Sequence, residues 1–156
     1  MRSFSANVSK FFVASCLALA SFSAYADCAI VRVTSADKVR QALKHGGGYS
    51  FGNYDEVCEK LRRANAVIVI SGSDGVLANR SFAWASIGVA DAVNQNVMVT
   101  AFSTNQTIMD EYASAHLGPE LLMSAIDNAL NSWTELDNAL AELNNVRQKM
   151  HKAASK

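Results

Sequence analysis

ANAVIVISGSDGVLANRSFAWASIGVADAVNQNVMVTAFST, residues 64–104, is the stretch on which the fold turns. Within it Ala66-Val67-Ile68-Val69-Ile70-Ser71 is a continuous apolar, largely β-branched run, the pattern of a strand covered on both faces. Gly72-Ser73-Asp74-Gly75 reads as the turn through which it leaves. Residues 82–90 and 97–104 predict two more strands, with polar residues 91–96 as the hairpin between them. In the first of these, Phe82 and Trp84 alternate with Ala83, Ala85, Ile87 and Val89. Both faces are therefore largely apolar; helices are expected over one of them, and the other meets something else.

Upstream, residues 28–34 form a β-branched strand pattern, and Thr34 followed by Asp37 makes a capping pattern for a helix whose stripe is Val39, Ala42 and Leu43. Gly46-Gly47-Gly48 ends that helix. Asn53 with Glu56 starts a second, with Tyr54, Val57, Cys58 and Leu61 at helical spacing, so Cys58 is expected to face the core. Downstream, Ile108, Met109, Tyr112 and Ala113 suggest a helix over residues 107–116, stopped by Gly118-Pro119, which opens another. From Glu120 to Lys156 there is no Gly or Pro, and Leu122, Ile126, Ala129, Trp133, Leu136, Leu140, Leu143 and Met150 recur near heptad spacing. Two arrangements fit. One is a single helix of roughly 30 residues, about 45 Å long, overhanging a domain about 30 Å across; the other is a pair of helices joined near Ser132. The expectation is an α+β fold: a mainly antiparallel sheet of about four strands, helices on one face, and a long C-terminal helix.

The chain opens with Arg2 and Lys10, a short apolar stretch over residues 11–22, and the small-x-small triplet Ala24-Tyr25-Ala26. This is the pattern of a secretory signal peptide, too short in its apolar part to span a bilayer. Cleavage is expected after Ala26, leaving residues 27–156 as a single α+β domain that ends in a helical segment, with no membrane span, in a bacterial periplasm. Cleavage discards Cys16 and leaves Cys28 and Cys58, an even pair in an oxidising compartment. A disulfide is the expectation, with two buried free thiols as the alternative.

Without the signal, 12 basic residues face 14 acidic ones, a balance that predicts no nucleic-acid partner. The charges are segregated: between Ala64 and Val146 the only cation is Arg80, against nine acids. Such a stretch is either a solvated acidic face or a docking surface for a basic partner. In the second case Glu135, Asp137 and Glu142 would border the stripe of Leu140 and Leu143, and these five residues are the candidate partner-binding set.

Catalytic and cofactor patterns are not assembled. The glycine loop at residues 46–52 follows a helix and matches no phosphate-binding pattern, although Tyr49, Phe51 and Tyr54 can form an aromatic patch beside it. Ser71 stands where a nucleophile elbow needs glycine. His45, His116 and His151 fit no metal-ligand spacing. No catalytic residue, metal or other cofactor is expected. The order of "LRRANAVIVISGS", "SFAWASIGVADAVNQNVMVTAFST" and "PELLMSAIDNALNSW" resembles the small α+β modules of envelope-assembly proteins, of the kind found in the N-terminal module of the translocation protein TolB and in curli-secretion lipoproteins. The resemblance implies a non-enzymatic periplasmic binding or envelope-accessory role with a protein partner, and transfers no functional residue. An immunity-type inhibitor of a secreted toxin or hydrolase is the alternative.

Overall fold

The computed structural model describes residues 32–33 and 36–155. The expected signal peptide and Cys28 lie outside the described residues. The elements run β1 (Arg32–Val33), α1 (Asp37–His45), α2 (Tyr54–Arg63), β2 (Ala66–Leu77), β3 (Arg80–Asp91), β4 (Met98–Asp110), a 3-10 turn (Ala115–Leu117), α3 (Gly118–Asn131) and α4 (Leu136–Ala154). The architecture is α+β. Strands β2, β3 and β4 form an antiparallel meander, and β1 adds two residues in parallel on the free side of β2. The antiparallel part thus has three strands, not about four.

Alternation along the strands sorts the sheet into two faces. Ile68, Ile70, Ala83, Ala85, Ile87, Val89 and Val99 are buried on one face, beneath α3 and α4. The small side chains there have a purpose: with only Ala83 and Ala85 below it, α3 can settle onto β3 and bring Leu122, Ile126 and Ala129 into the core. Gly72 serves the same contact. A Cβ at that position would lie 2.8 Å from the Trp84 carbonyl oxygen and 3.0 Å from Leu122 Cδ1. That corrects the turn expected at residues 72–75. The glycines there permit close approach inside a strand that continues to Leu77.

The reversal falls instead at Ala78 and Asn79, whose φ values of 47° and 62° place both in the left-handed region. Leu77 pairs with Arg80, so this is a two-residue hairpin of the type that twisted strands favour. Alanine is a poor occupant of its first position, at a cost of about 1 kcal/mol. Ala78→Asn is expected to raise stability by roughly 0.5–1 kcal/mol, read as a higher urea midpoint with an unchanged slope. A lower midpoint would show that this turn does not limit stability.

The helix expected over residues 107–116 is also corrected, because β4 extends to Asp110 in register with β3 down to Ser81. Ile108 and Met109 were read at helical spacing, but β-branched Thr104, Thr107 and Ile108 favour the strand, and the period-2 alternation of Thr104, Gln106 and Ile108 toward the helices is what the pairing selects. The chain then turns inward: Ser81, fully buried, donates its N–H (3.1 Å) and Oγ–H (2.6 Å) to the Tyr112 carbonyl.

The long C-terminal apolar stripe is divided. Helix α3 stops at Asn131, where the Ser132 hydroxyl donates to the Asn128 carbonyl (2.8 Å), and the indole Nε1–H of Trp133 donates to the Phe102 carbonyl (2.8 Å). A side-chain hydroxyl competing for the last helical carbonyls and an anchored indole together end the helix. The chain restarts as α4, whose 19 residues span about 28 Å and carry Leu136, Ala139, Leu140 and Leu143 back over the β4 end of the sheet. Beside α3 on the same face, α1 buries Val39, Ala42 and Leu43, and α2 buries Val57, Cys58 and Leu61, both over β2.

Candidate binding surface

Leu140 (8% exposed) and Leu143 (0%) belong to the core, so the apolar half of the expected partner surface on α4 is not offered to a partner. Folding back at Ser132 is the reason: the stripe that would overhang on a single helix is turned onto the strands. Glu135 and Asp137 are exposed and Glu142 is half-buried. Each is engaged within the chain. Glu135 Oε2 accepts from Asn138 Nδ2 (2.5 Å), Glu142 Oε2 accepts from Asn145 Nδ2 (3.1 Å), and Asp137 pairs with Lys60 of α2 (3.0 Å). Asp137 and then Glu56 hold the Lys60 ammonium charged above its usual range.

Other acids of the stretch are likewise met in space by basic side chains from outside it. Asp74 pairs with Lys38 (3.4 Å), Asp91 with Arg147 (2.5 Å), and Glu120 lies 3.7 Å from His45. With Asp137, four of the nine acids are thus met by basic side chains from outside the stretch, two of them from a helix to the sheet. The aromatic patch also turns inward. Phe51 is buried, and Tyr49 and Tyr54 pack around it with ring centroids 6.1 and 5.4 Å away.

Two concavities flank the core. One, of about 270 Å³, is polar, lined by Ser50, Ser124, Asn128 and Asn131, with Asp127 accepting from the Ser50 hydroxyl (2.5 Å) and backbone N–H (3.2 Å). The other, of about 540 Å³, lies under the end of α4 between Val93, Val97, Met150 and His151, with Arg147 and Asp91 in its wall. Arg147 is committed to structure there. Its Nε–H donates to Asp91 Oδ2, Nη1 to the Ala64 carbonyl (2.8 Å) and Asn144 Oδ1 (2.9 Å), and Nη2 to the Asn65 carbonyl (2.7 Å). Asp91 in turn accepts from the backbone N–H groups of Asn94 (2.6 Å) and Val93 (2.8 Å), closing the β3–β4 hairpin. The Asn94 amide first, then the Arg147 guanidinium and the Val93 amide, hold the Asp91 carboxyl below its ordinary range against the opposing effect of burial. Among the described residues, no group of three His, Cys, Asp or Glu is placed to hold a metal ion, and no helix is long and apolar enough to cross a membrane.

The sheet face opposite the helices is the surface that the fold leaves bare. Trp84 (39% exposed) stands there between Ser73 and Thr107, and Phe82 stands between Gly75 and Met109 (57%). Leu77 (65%) closes the row at the hairpin. These four side chains lie where β2, β3 and β4 pair without a register break. Met98 and Phe102 are exposed at the far end of β4. None of the six belonged to the expected partner-binding set. The signal that marks them was the alternation of Phe82 and Trp84 with Ala83 and Ala85, read with the small residues inward. No family model, curated protein or solved structure matches this chain.

Proposed function

We propose that the chain is an exported, non-enzymatic binding protein of the bacterial envelope, engaging a protein partner through the bare sheet face around Leu77, Phe82, Trp84 and Met109. The observation that carries this reading is the outward placement of large apolar side chains on a sheet whose other face carries the helices. Contiguous exposed apolar area of this kind is what contact sites are built from, with aromatic anchors contributing most. The export pattern of residues 1–26 supports the compartment, and the sequence order that resembles small envelope-assembly modules agrees with it. A Cys28–Cys58 disulfide is part of the same proposal: Cys58 is held in the core on α2, where a crosslink to the segment before β1 would fasten the N-terminal end of the domain.

Photo-crosslinking in intact cells tests the reading. A crosslinking residue at Trp84 is expected to yield an adduct with an envelope protein, while the same residue at exposed Gln148 on α4 yields none. Absence of an adduct at position 84, or equal adducts at both positions, would overturn it. An adduct with a secreted toxin or hydrolase, accompanied by loss of that protein's activity, would establish the immunity-type role instead.

A further inference from the structure

The two edges of the sheet are treated differently. The free side of β2 receives β1, whereas β4, 13 residues long, pairs among the described residues with β3 alone. An edge strand exposes a row of backbone donors and acceptors, and proteins ordinarily blunt such a row with Lys, Pro, a bulge or a covering element. On β4 the irregularity is confined to one end. Register with β3 is uninterrupted from Thr104 to Asp110 and breaks only between Thr104 and Val99, where Phe102 takes φ 64° and its carbonyl is claimed by Trp133. The regular part reads Thr104-Asn105-Gln106-Thr107-Ile108-Met109-Asp110, with no Lys, Arg or Pro and one charge at its end. The chain beyond Asp110 turns in over β3 to reach Ser81, and so does not run along the outer side of β4.

From this edge we infer that the protein forms a two-fold dimer in which β4 pairs antiparallel with β4 of a second copy, giving one six-stranded antiparallel core sheet. Self-pairing is favoured by the symmetry of the regular segment, whose midpoint is Thr107. Residues directly opposite in an antiparallel ladder share a face, and centring on Thr107 satisfies this throughout. Thr107 meets its own copy, Met109 meets Asn105, Ile108 meets Gln106, and Asp110 meets Thr104. The lone charges stay apart: the two Asp110 carboxylates lie about 20 Å from one another along the ladder, beyond the screening length at physiological salt. The axis is perpendicular to the sheet, so both helical layers lie on one side and both bare faces on the other. Trp84 pairs with Thr107, which puts the two Trp84 residues in one row about 14 Å apart, three strand spacings. A seven-residue ladder covers less than the about 800 Å² per partner of a standard stable interface, so the dimer is reversible and concentration-dependent.

The inference stands on the edge of β4 and not on the function assigned to the bare face, and the experiment separates them. Thr107 is exposed, and its side chain makes none of the hydrogen bonds that hold the fold. Sedimentation of the purified mature chain over rising micromolar concentration is expected to show a monomer–dimer equilibrium. Thr107→Lys and Thr107→Glu each set like charges face to face on the axis and are expected to weaken dimerisation by about tenfold or more, with unchanged circular dichroism. Mixing the two variants is expected to restore a dimer, and Thr107→Cys is expected to form an intermolecular disulfide under mild oxidation. A wild-type chain that remains monomeric, or a dimer that Thr107→Lys and Thr107→Glu leave intact, overturns the inference. Loss of the Trp84 adduct with the dimer preserved would bear on the function of the face alone.

Discussion

Leu143→Asp is expected to abolish the cooperative fold at neutral pH. Leu143 is fully buried among the apolar side chains of the cluster that joins α4 to the sheet. An ionised carboxylate without a partner in such a place costs several kcal/mol, comparable to the whole stability of a small domain. A graded companion separates burial from charge. Leu143→Ala removes only methyl and methylene groups and is expected to cost about 3 kcal/mol. Glu142→Lys, one residue away but half-exposed, is expected to change stability by less than about 0.5 kcal/mol. Urea titrations followed by circular dichroism check all three. If Leu143→Asp unfolded at the wild-type midpoint, the stripe on α4 would be an outer surface, and the partner set of Glu135, Asp137, Leu140, Glu142 and Leu143 would return to consideration.

Much of the core was legible because its period is local. The stripes of α1 and α2, the run at the start of β2 and the Pro119 signal at the beginning of α3 each follow from a few neighbouring residues. Two features were not legible and a third was left open between two arrangements, for distinct physical reasons. Residues 104–110 carry both a period-2 and a near-helical pattern, and only pairing with residues 81–87 selects the first. Gly72 looks like a turn until Leu122, 50 residues on, is known to press on it. The division at Ser132 depends on an indole reaching the carbonyl of Phe102, on a strand 31 residues away. The bare face inverted a common habit of reading: in β3 the large Phe82 and Trp84 point out, and the small Ala83 and Ala85 point in, because the inner volume is supplied by α3.

The corrected helix over residues 107–116 and the choice between the two C-terminal arrangements bear on the site. A helix over residues 107–116 would have covered the edge that β4 now leaves open, and an overhanging C-terminal helix would have carried the exposed apolar surface. With the leucines of α4 returned to the core, the exposed large apolar side chains lie mostly on the sheet: Leu77, Trp84, Met98, Phe102 and Met109 all belong to β2, β3 or β4. Surface and edge are thus adjacent, and a dimer through β4 would join two such faces into one.

Arg147→Met is the second substitution with a large expected effect. Arg147 ties four places together: α4, which bears it; the β3–β4 hairpin, through Asp91; the C-terminal cap of α2, through the Ala64 carbonyl; and the lead-in to β2, through the Asn65 carbonyl. Ala64 is the capping residue of α2, and Asn65 follows it in the left-handed conformation at φ 48°, so the guanidinium meets the Ala64 carbonyl at the helix end and joins the Ala92 N–H (3.0 Å) on the Asn65 carbonyl. Methionine keeps the stem and removes every donor. Asp91, with a side chain only 13% exposed, then loses its counter-charge while remaining largely shielded from water. Breaking such a pair from one side typically costs about 3 kcal/mol, and the same is expected here. The pH dependence carries a sign. Because the Asp91 carboxyl is held below its ordinary range, its contribution is complete above about pH 4, near the unfolded value, and is lost as pH falls through the lower folded value. The stability difference between wild type and Arg147→Met should therefore be largest near neutrality and narrow at lower pH. What remains in acid is the part due to the Ala64 and Asn65 carbonyls. Urea midpoints for both chains across that range test this, and a difference that stays constant or widens in acid would show that Arg147 acts through the carbonyls and not through Asp91.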